Sequence, residues 1–129
     1  MLLLGPPGAG KSDLTLRLLD RGFMLVADDR VEIEDGMAWA PARLAGLLEV
    51  RGLGILRLPY LPRARLALAV CLGVSAARLP EPSRYGGFPS VTIDPAAASA
   101  PQRVALALDC ALGRVEVLAG AFEAGGAAA

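Results

Sequence analysis

The stretch Gly5-Pro6-Pro7-Gly8-Ala9-Gly10-Lys11-Ser12 sets one ammonium and one hydroxyl directly behind a run of small, turn-forming residues. Its spacing is G-x-x-x-x-G-K-[ST], and the chemistry it suits is the holding of a polyphosphate. Glycines let the backbone curl so that successive N–H groups face an anion. A helix starting behind them would add the positive end of its dipole. Lys11 would reach the β- and γ-phosphates, and the Ser12 hydroxyl would hold Mg²⁺. Lys11 is the only lysine of the chain, against twelve arginines. Nucleotide composition explains most of that bias, yet a compact, rotatable ammonium suits a place where a planar guanidinium fork fits poorly.

A phosphate loop does not choose its acceptor; that falls to residues near the terminal phosphate. Asp28-Asp29 follow the apolar run Phe23-Met24-Leu25-Val26-Ala27. If that run is a strand parallel to Met1–Leu4, the two carboxylates stand at the carboxyl edge of the sheet, where open α/β sheets bind ligands. Adjacent strand residues alternate in direction, so one carboxylate can face Mg²⁺ and the other an incoming nucleophile. Glu49 is a further acid, ahead of the glycine-bearing segment Val50-Arg51-Gly52-Leu53-Gly54-Ile55-Leu56. Two glycines in so apolar a stretch predict a bent backbone close to something it must approach. Arg51, Arg78 and Arg84 could stabilise charge on a transferring phosphoryl group. The chain has no asparagine, which excludes the guanine-reading N-K-x-D motif.

The elements that must position these residues read as α/β. Met1–Leu4 is apolar on both faces, as a buried parallel strand is. The run Asp13–Arg21 has helical spacing, with Leu14 and Leu18 on one side, and stops at Gly22 as a left-handed cap. Phe23–Ala27 completes a βαβ unit. Val31–Glu34 and Met37–Ala40 flank Asp35-Gly36, a hairpin signal. Leu44–Leu48 suits a short helical turn and Leu66–Leu72 a central strand. Arg78–Pro95 reads as the longest irregular, mobile segment. Ser99 and Gln102 fit a capping box for a helix running to Leu112, with Gly113 beyond. Residues 114–129 fade into a Gly/Ala tail with little to order it.

Length and composition bound the answer. At 129 residues one domain is expected, and thirteen bases balance thirteen acids, with no basic run to suggest nucleic acid. Apolar residues make up 54% of the chain, but the longest charge-free apolar run, Leu66–Ala77, is too short to span a bilayer. Met1–Leu4 lacks a basic leader, so no signal peptide and a cytoplasmic location are expected. Cys71 and Cys110 lie in apolar runs, as reduced core thiols do. No Cys/His cluster suggests zinc, and histidine is absent.

Three blocks then resemble one family. The phosphate loop, Asp20-Arg21-Gly22-Phe23 with Leu25-Val26-Ala27-Asp28-Asp29, and Leu48-Glu49-Val50-Arg51-Gly52-Leu53-Gly54-Ile55 are similar, in order and nearly in spacing, to the HPr kinase/phosphorylase catalytic domain. The likeness is strong over about Leu2–Ile55 and looser over Leu66–Leu112, and the short form resembles the alphaproteobacterial branch. It implies a P-loop kinase-like α/β domain with a mixed central sheet flanked by helices. It also implies an ATP- and Mg²⁺-dependent serine kinase acting on an HPr-like phosphocarrier protein, with a reverse reaction in which inorganic phosphate attacks the phosphoserine. Carried over by position, Asp29 is the base in the forward direction and the acid in reverse. Lys11 holds phosphates, Ser12 and Glu49 hold Mg²⁺, and Asp28 joins them if it faces the metal. The family's second arginine matches Arg78, with Arg84 as the alternative, and its assembly is a hexamer.

Two departures stand out. The family carries a histidine on a strand before the phosphate-loop strand, and this sequence has none, so a catalytic domain without that strand is expected. The loop that family members use in dephosphorylation falls at Ile93-Asp94-Pro95-Ala96-Ala97-Ala98-Ser99 and here holds no arginine. Two other readings stay open. A small-molecule kinase would carry a lid with several arginines, and Arg78–Pro95 has only two. A nucleotide-binding module without catalysis is the other.

Overall fold

A computed structural model describes residues 1–124 of the chain. In chain order the elements are β1 (Leu2–Leu4), α1 (Lys11–Asp20), β2 (Glu32–Glu34), β3 (Met37–Trp39), a 3₁₀ turn (Ala42–Leu44), β4 (Leu47–Val50) and β5 (Gly54–Arg57). There follow β6 (Ala64–Arg65), β7 (Ala69–Leu72), β8 (Ser83–Tyr85), β9 (Phe88–Ile93) and α2 (Ala100–Ala111). The chain divides into two compact units, one made of Met1–Leu14 with Ala67–Ala129 and the other of Thr15–Leu66.

The first unit is built on a four-stranded mixed sheet in the order β1-β7-β9-β8. β1, β7 and β9 are parallel, with Leu3 opposite Val70 and Val70 opposite Val91, while β8 returns antiparallel to β9. Ala69 and Val70 are fully buried, as expected of a strand covered on both faces. α2 packs on β9 with Ala100, Val104 and Ala107 buried, a spacing of one helix face on which the alanines allow close approach. Its end is a Schellman cap: Arg114 N–H donates to the Asp109 carbonyl at 2.8 Å and Gly113 N–H to that of Cys110 at 3.1 Å. Both cysteines are free and half-buried. Burial, and then the Asp109 charge, push the Cys110 thiol up, so it stays protonated and unreactive at neutral pH.

The second unit holds the antiparallel sheet β2-β3-β6 and the hairpin β4–β5. Asp35 and Gly36 both have positive φ, 50° and 77°, as the type I′ turn of the expected hairpin requires. Arg63 lies over the Trp39 ring, 5.1 Å from its centre. The core gathers Leu25, Leu48 and Val50, with Leu19, Leu56 and Leu58 against them. α1 begins in the first unit and ends in the second, and its terminus is a further Schellman cap, Phe23 N–H to Leu18 and Gly22 N–H to Leu19, both at 3.1 Å.

Four local expectations are corrected. Phe23–Ala27 is not a strand: it makes a single parallel bridge, Leu25 to Tyr60, and the parallel partner of β1 is β7. Only Leu25 of that run is buried and Met24 is 48% exposed, so it lacks the two covered faces of an interior strand. Arg78–Pro95 is not irregular throughout, because Gly86-Gly87 turn β8 into β9. Ser99 forms no capping box; its φ and ψ of −89° and 10° are not the extended values a box needs, and its hydroxyl accepts from Arg103 Nε at 2.8 Å. The helical turn expected at Leu44–Leu48 lies earlier, at Ala42–Leu44, and Leu47–Val50 is strand. Residues 114–124 contain no helix or strand, and the rest of the expected tail lies outside the described residues.

Candidate phosphate-binding site

The phosphate loop leaves β1 at its carboxyl end and is shaped by two demands met at three glycines. Ala9 N–H donates to the Pro6 carbonyl at 3.1 Å, and Gly8 at φ 80° is the third residue of that turn. Pro-Pro-Gly-Ala thus makes a type II turn, with proline setting the second position and glycine the positive φ of the third. Gly5 is needed for space: a Cβ there would stand 3.0 Å from Ala9 Cβ and 3.3 Å from Leu72 Cβ on β7. Gly10 meets both demands at once, with φ at 103° and a would-be Cβ 3.2 Å from Pro95.

Leu14 N–H makes the first intrahelical bond of α1, to the Gly10 carbonyl at 3.0 Å. The amides of Lys11 and Ser12 precede that bond and stand at the positive end of the helix, beside the loop. Lys11 is exposed, and its Nζ folds back to donate to the Gly5 carbonyl at 2.9 Å. The ammonium thus spans the mouth of the loop from its last turn to its first residue. An anion seated on these amides would have Lys11 within reach, the arrangement phosphate binding needs.

The acids form a separate group in the second unit. Asp28 and Asp29 are exposed in the bend after the Leu25 bridge, and Glu49 lies on β4 opposite Ile55, its side chain exposed. The structure brings Asp28 to Glu49: the Glu49 amide donates to Asp28 Oδ2 at 3.4 Å. Among the described residues no group of three or more His, Cys, Asp or Glu side chains is gathered for a metal ion. Asp28 and Glu49 are nonetheless oxygen donors of the kind a hard cation takes alongside phosphate oxygens, and in this respect they fit Mg²⁺.

The two arginines fall on different elements of the first unit. Arg78 is exposed in the segment that follows the carboxyl end of β7, the edge on which the phosphate loop also emerges. Arg84 lies opposite Pro89, four residues before the carboxyl end of β9, and its Nη2 donates to the Gly87 carbonyl at 2.8 Å. At about 3.3 Å per strand residue that is roughly 13 Å from the loop-bearing edge. Arg84 instead helps line a cavity of about 340 Å³ with Pro82, Ser83, Pro89, Ala111 and Phe122, to which no residue of the phosphate loop contributes.

Two residues that the sequence reading placed only in the 93–99 stretch stand beside the phosphate loop. Pro95, at the carboxyl end of β9, lies against Gly10, and Asp94 before it holds the turn. Asp94-Pro95 was visible as a turn-initiating dipeptide, but nothing in the sequence tells which loop it would touch.

Residues 1–61 match the family model of the HPr Serine kinase C-terminal domain. The chain is similar to HPr kinase/phosphorylases. It is 48% identical over 65 residues to the HPr kinase/phosphorylase of Clostridium novyi (strain NT), covering 47% of this chain and 21% of that one. To the HPr kinase/phosphorylase of Listeria monocytogenes serotype 4a (strain HCC23) it is 51% identical over 61 residues, 43% of this chain and 20% of that one. The match therefore spans about a fifth of these relatives' length. The structure of the Hpr(Ser) kinase/phosphatase from Coxiella burnetii superposes with a TM-score of 0.66 at 22% identity, over 87% of this chain and 82% of that one. That likeness bears out the mixed α/β, P-loop fold. The HPr kinase match contains the phosphate loop, Asp28, Asp29 and Glu49, whereas Arg78, Arg84 and Pro95 lie beyond it.

Proposed function

We propose that this chain is the catalytic domain of a Mg·ATP-dependent serine kinase whose acceptor is an HPr-type phosphocarrier protein of a phosphotransferase system. The observation that carries the reading is the phosphate loop, with Lys11 bridging it to the Gly5 carbonyl, inside the segment that matches the HPr kinase family model. In this reading the loop amides of Gly8, Gly10, Lys11 and Ser12 and the Lys11 ammonium hold the β- and γ-phosphates of ATP. Ser12, Asp28 and Glu49 are the oxygen donors offered to Mg²⁺, which when bound neutralises charge on the phosphates.

Asp29 is the general base. It takes the proton from the acceptor serine hydroxyl as that oxygen bonds to the γ-phosphorus and the bond to the β–γ bridging oxygen breaks, releasing ADP. Arg78 supports charge on the transferring group, a role its edge of the sheet suits and the position of Arg84 does not. The phosphorylase direction belongs to the same proposal. An oxygen of inorganic phosphate attacks the phosphoserine phosphorus, the serine oxygen leaves with a proton from Asp29, and pyrophosphate is formed. A cytoplasmic location and a hexameric assembly follow from the family likeness. For the described residues the structure adds that no helix is long and apolar enough to cross a membrane.

The test is transfer of labelled phosphate from ATP to an HPr-like carrier from the same genome. Phosphoserine on the carrier is expected. Asp29→Asn should lower turnover by ~10²–10⁴ while ATP binding persists, whereas Lys11→Ala should weaken ATP binding itself. ATP turnover onto a metabolite, with none onto the protein, would establish a small-molecule kinase instead. Binding of ATP without turnover in either direction would leave a nucleotide-binding module.

A further inference from the structure

The turn between β9 and α2 forms a wall of the phosphate loop, although it lies outside the motif and outside the matched segment. A Cβ at Gly10 would stand 3.2 Å from both Cβ and Cγ of Pro95, so the proline ring covers the last glycine before Lys11. Gly10 has a φ of 103°, a conformation that only glycine adopts readily. The ring that covers it is in turn fixed. Asp94 Oδ1 accepts from the Ala96 amide at 2.9 Å, the Asp94 carbonyl accepts from Ala97 at 3.1 Å, and the Ala97 carbonyl accepts from Ala100 at 3.0 Å, where α2 begins. Proline brings its own locked φ to this turn. The chain of support runs from the buried face of α2 through Asp94 and Pro95 to Gly10, and so to the amide and ammonium of Lys11.

We propose that Pro95 is a positioning residue for nucleotide phosphate binding, holding Gly10 in its positive-φ conformation, and that Asp94 acts through it by fixing the turn. This rests on the reading of the loop as a nucleotide site and requires nothing of the acceptor protein. Without the ring, Gly10 has room to relax, and the amides that face the phosphates lose their common orientation. Misplacement of such groups by an ångström costs up to ~10²-fold in a reaction that depends on them, and partial loosening costs less.

The measurement is calorimetric titration of the full chain with Mg·ATP, alongside KM for ATP and for the carrier. Pro95→Gly should raise the ATP dissociation constant by roughly tenfold, within the range that loosening a binding group produces. Pro95→Ala, which keeps Cβ, should show a smaller rise. Asp94→Ala should behave like Pro95→Ala, and Asp94→Asn, which keeps an acceptor for the Ala96 amide, should restore most of the affinity. A role in stability alone would lower the titrated stoichiometry and the melting temperature at an unchanged dissociation constant, and that result overturns the proposal. So does wild-type ATP affinity in Pro95→Gly. Wild-type protein that binds ATP but phosphorylates no carrier removes the kinase reading and leaves this test decisive. Wild-type protein that binds no nucleotide overturns both.

Discussion

Gly10 of the phosphate loop and the tip glycines of the 46–58 hairpin all stand at positive φ, and they differ in what surrounds them. At Gly10 the backbone is turned to positive φ and lies under the Pro95 ring. At Gly52 and Gly54, with φ of 87° and 129°, nothing lies within 4 Å of a would-be Cβ. Among the described residues, then, no atom crowds these two glycines. Leu53 and Ile55 beside them are 74% and 70% exposed. Close approach does occur at the base of the same hairpin, where a Cβ on Gly46 would meet Tyr60 Cδ1 at 2.7 Å and the Leu58 carbonyl oxygen at 2.8 Å. A glycine's presence reports a constraint, and only the fold tells whether the constraint is conformation, space or both.

The comparison is most easily broken at Gly46. Gly46→Ala adds a methyl against the carbonyl oxygen of Leu58, a residue whose own N–H donates to the Gly46 carbonyl at 2.7 Å. The positive φ of 77° costs about 1–2 kcal/mol for alanine, and overpacking of a filled site about 1–3 kcal/mol more. A fall in melting temperature of roughly 10 °C is expected at this chain length. A fall of only a degree or two would mean that the hairpin base yields freely.

Gly10→Ala comes next. The closest contact there is 3.2 Å rather than 2.7 Å, so the loss of stability should be smaller, about 2–3 kcal/mol. Its larger effect should be on nucleotide binding, read by titration with Mg·ATP. Unchanged affinity would separate the loop's conformation from its function.

How much of this was legible without coordinates depends on the range of the interaction. The phosphate loop, the cap at Gly22, the I′ turn at Asp35-Gly36 and the cap at Gly113 are all written within a few residues, and each stands where local chemistry puts it. The pairing of β1 with β7 was not legible, because Phe23–Ala27 and Leu66–Leu72 are both short apolar runs and periodicity cannot rank them as partners. Arg78–Pro95 reads as irregular from its Pro, Gly and Ser content, although Gly86-Gly87 is also a hairpin signal; Pro89 sits in β9 opposite Arg84 on the terminal strand β8. In the candidate site, the phosphate loop is a local motif and was legible. The contact of Pro95 with Gly10 was not, because the two are far apart along the chain.

Gly52 gives the finest separation of the two kinds of glycine. It is the third residue of the turn closed by Leu53 N–H to the Val50 carbonyl at 2.9 Å, with Arg51-Gly52-Leu53 linking the paired Val50 and Gly54. A positive φ at that position is what a type II turn demands, and asparagine meets the demand better than alanine because it tolerates the left-handed region. Gly52→Ala should therefore cost about 1–2 kcal/mol, and Gly52→Asn measurably less, in urea unfolding followed by circular dichroism. At Gly10 the same pair of substitutions should show no such relief, since any Cβ there meets Pro95 before the rest of the side chain matters. If asparagine were no better than alanine at Gly52, the tip would be held by packing after all, and the distinction between a glycine required by conformation and one required by space would fail for this hairpin.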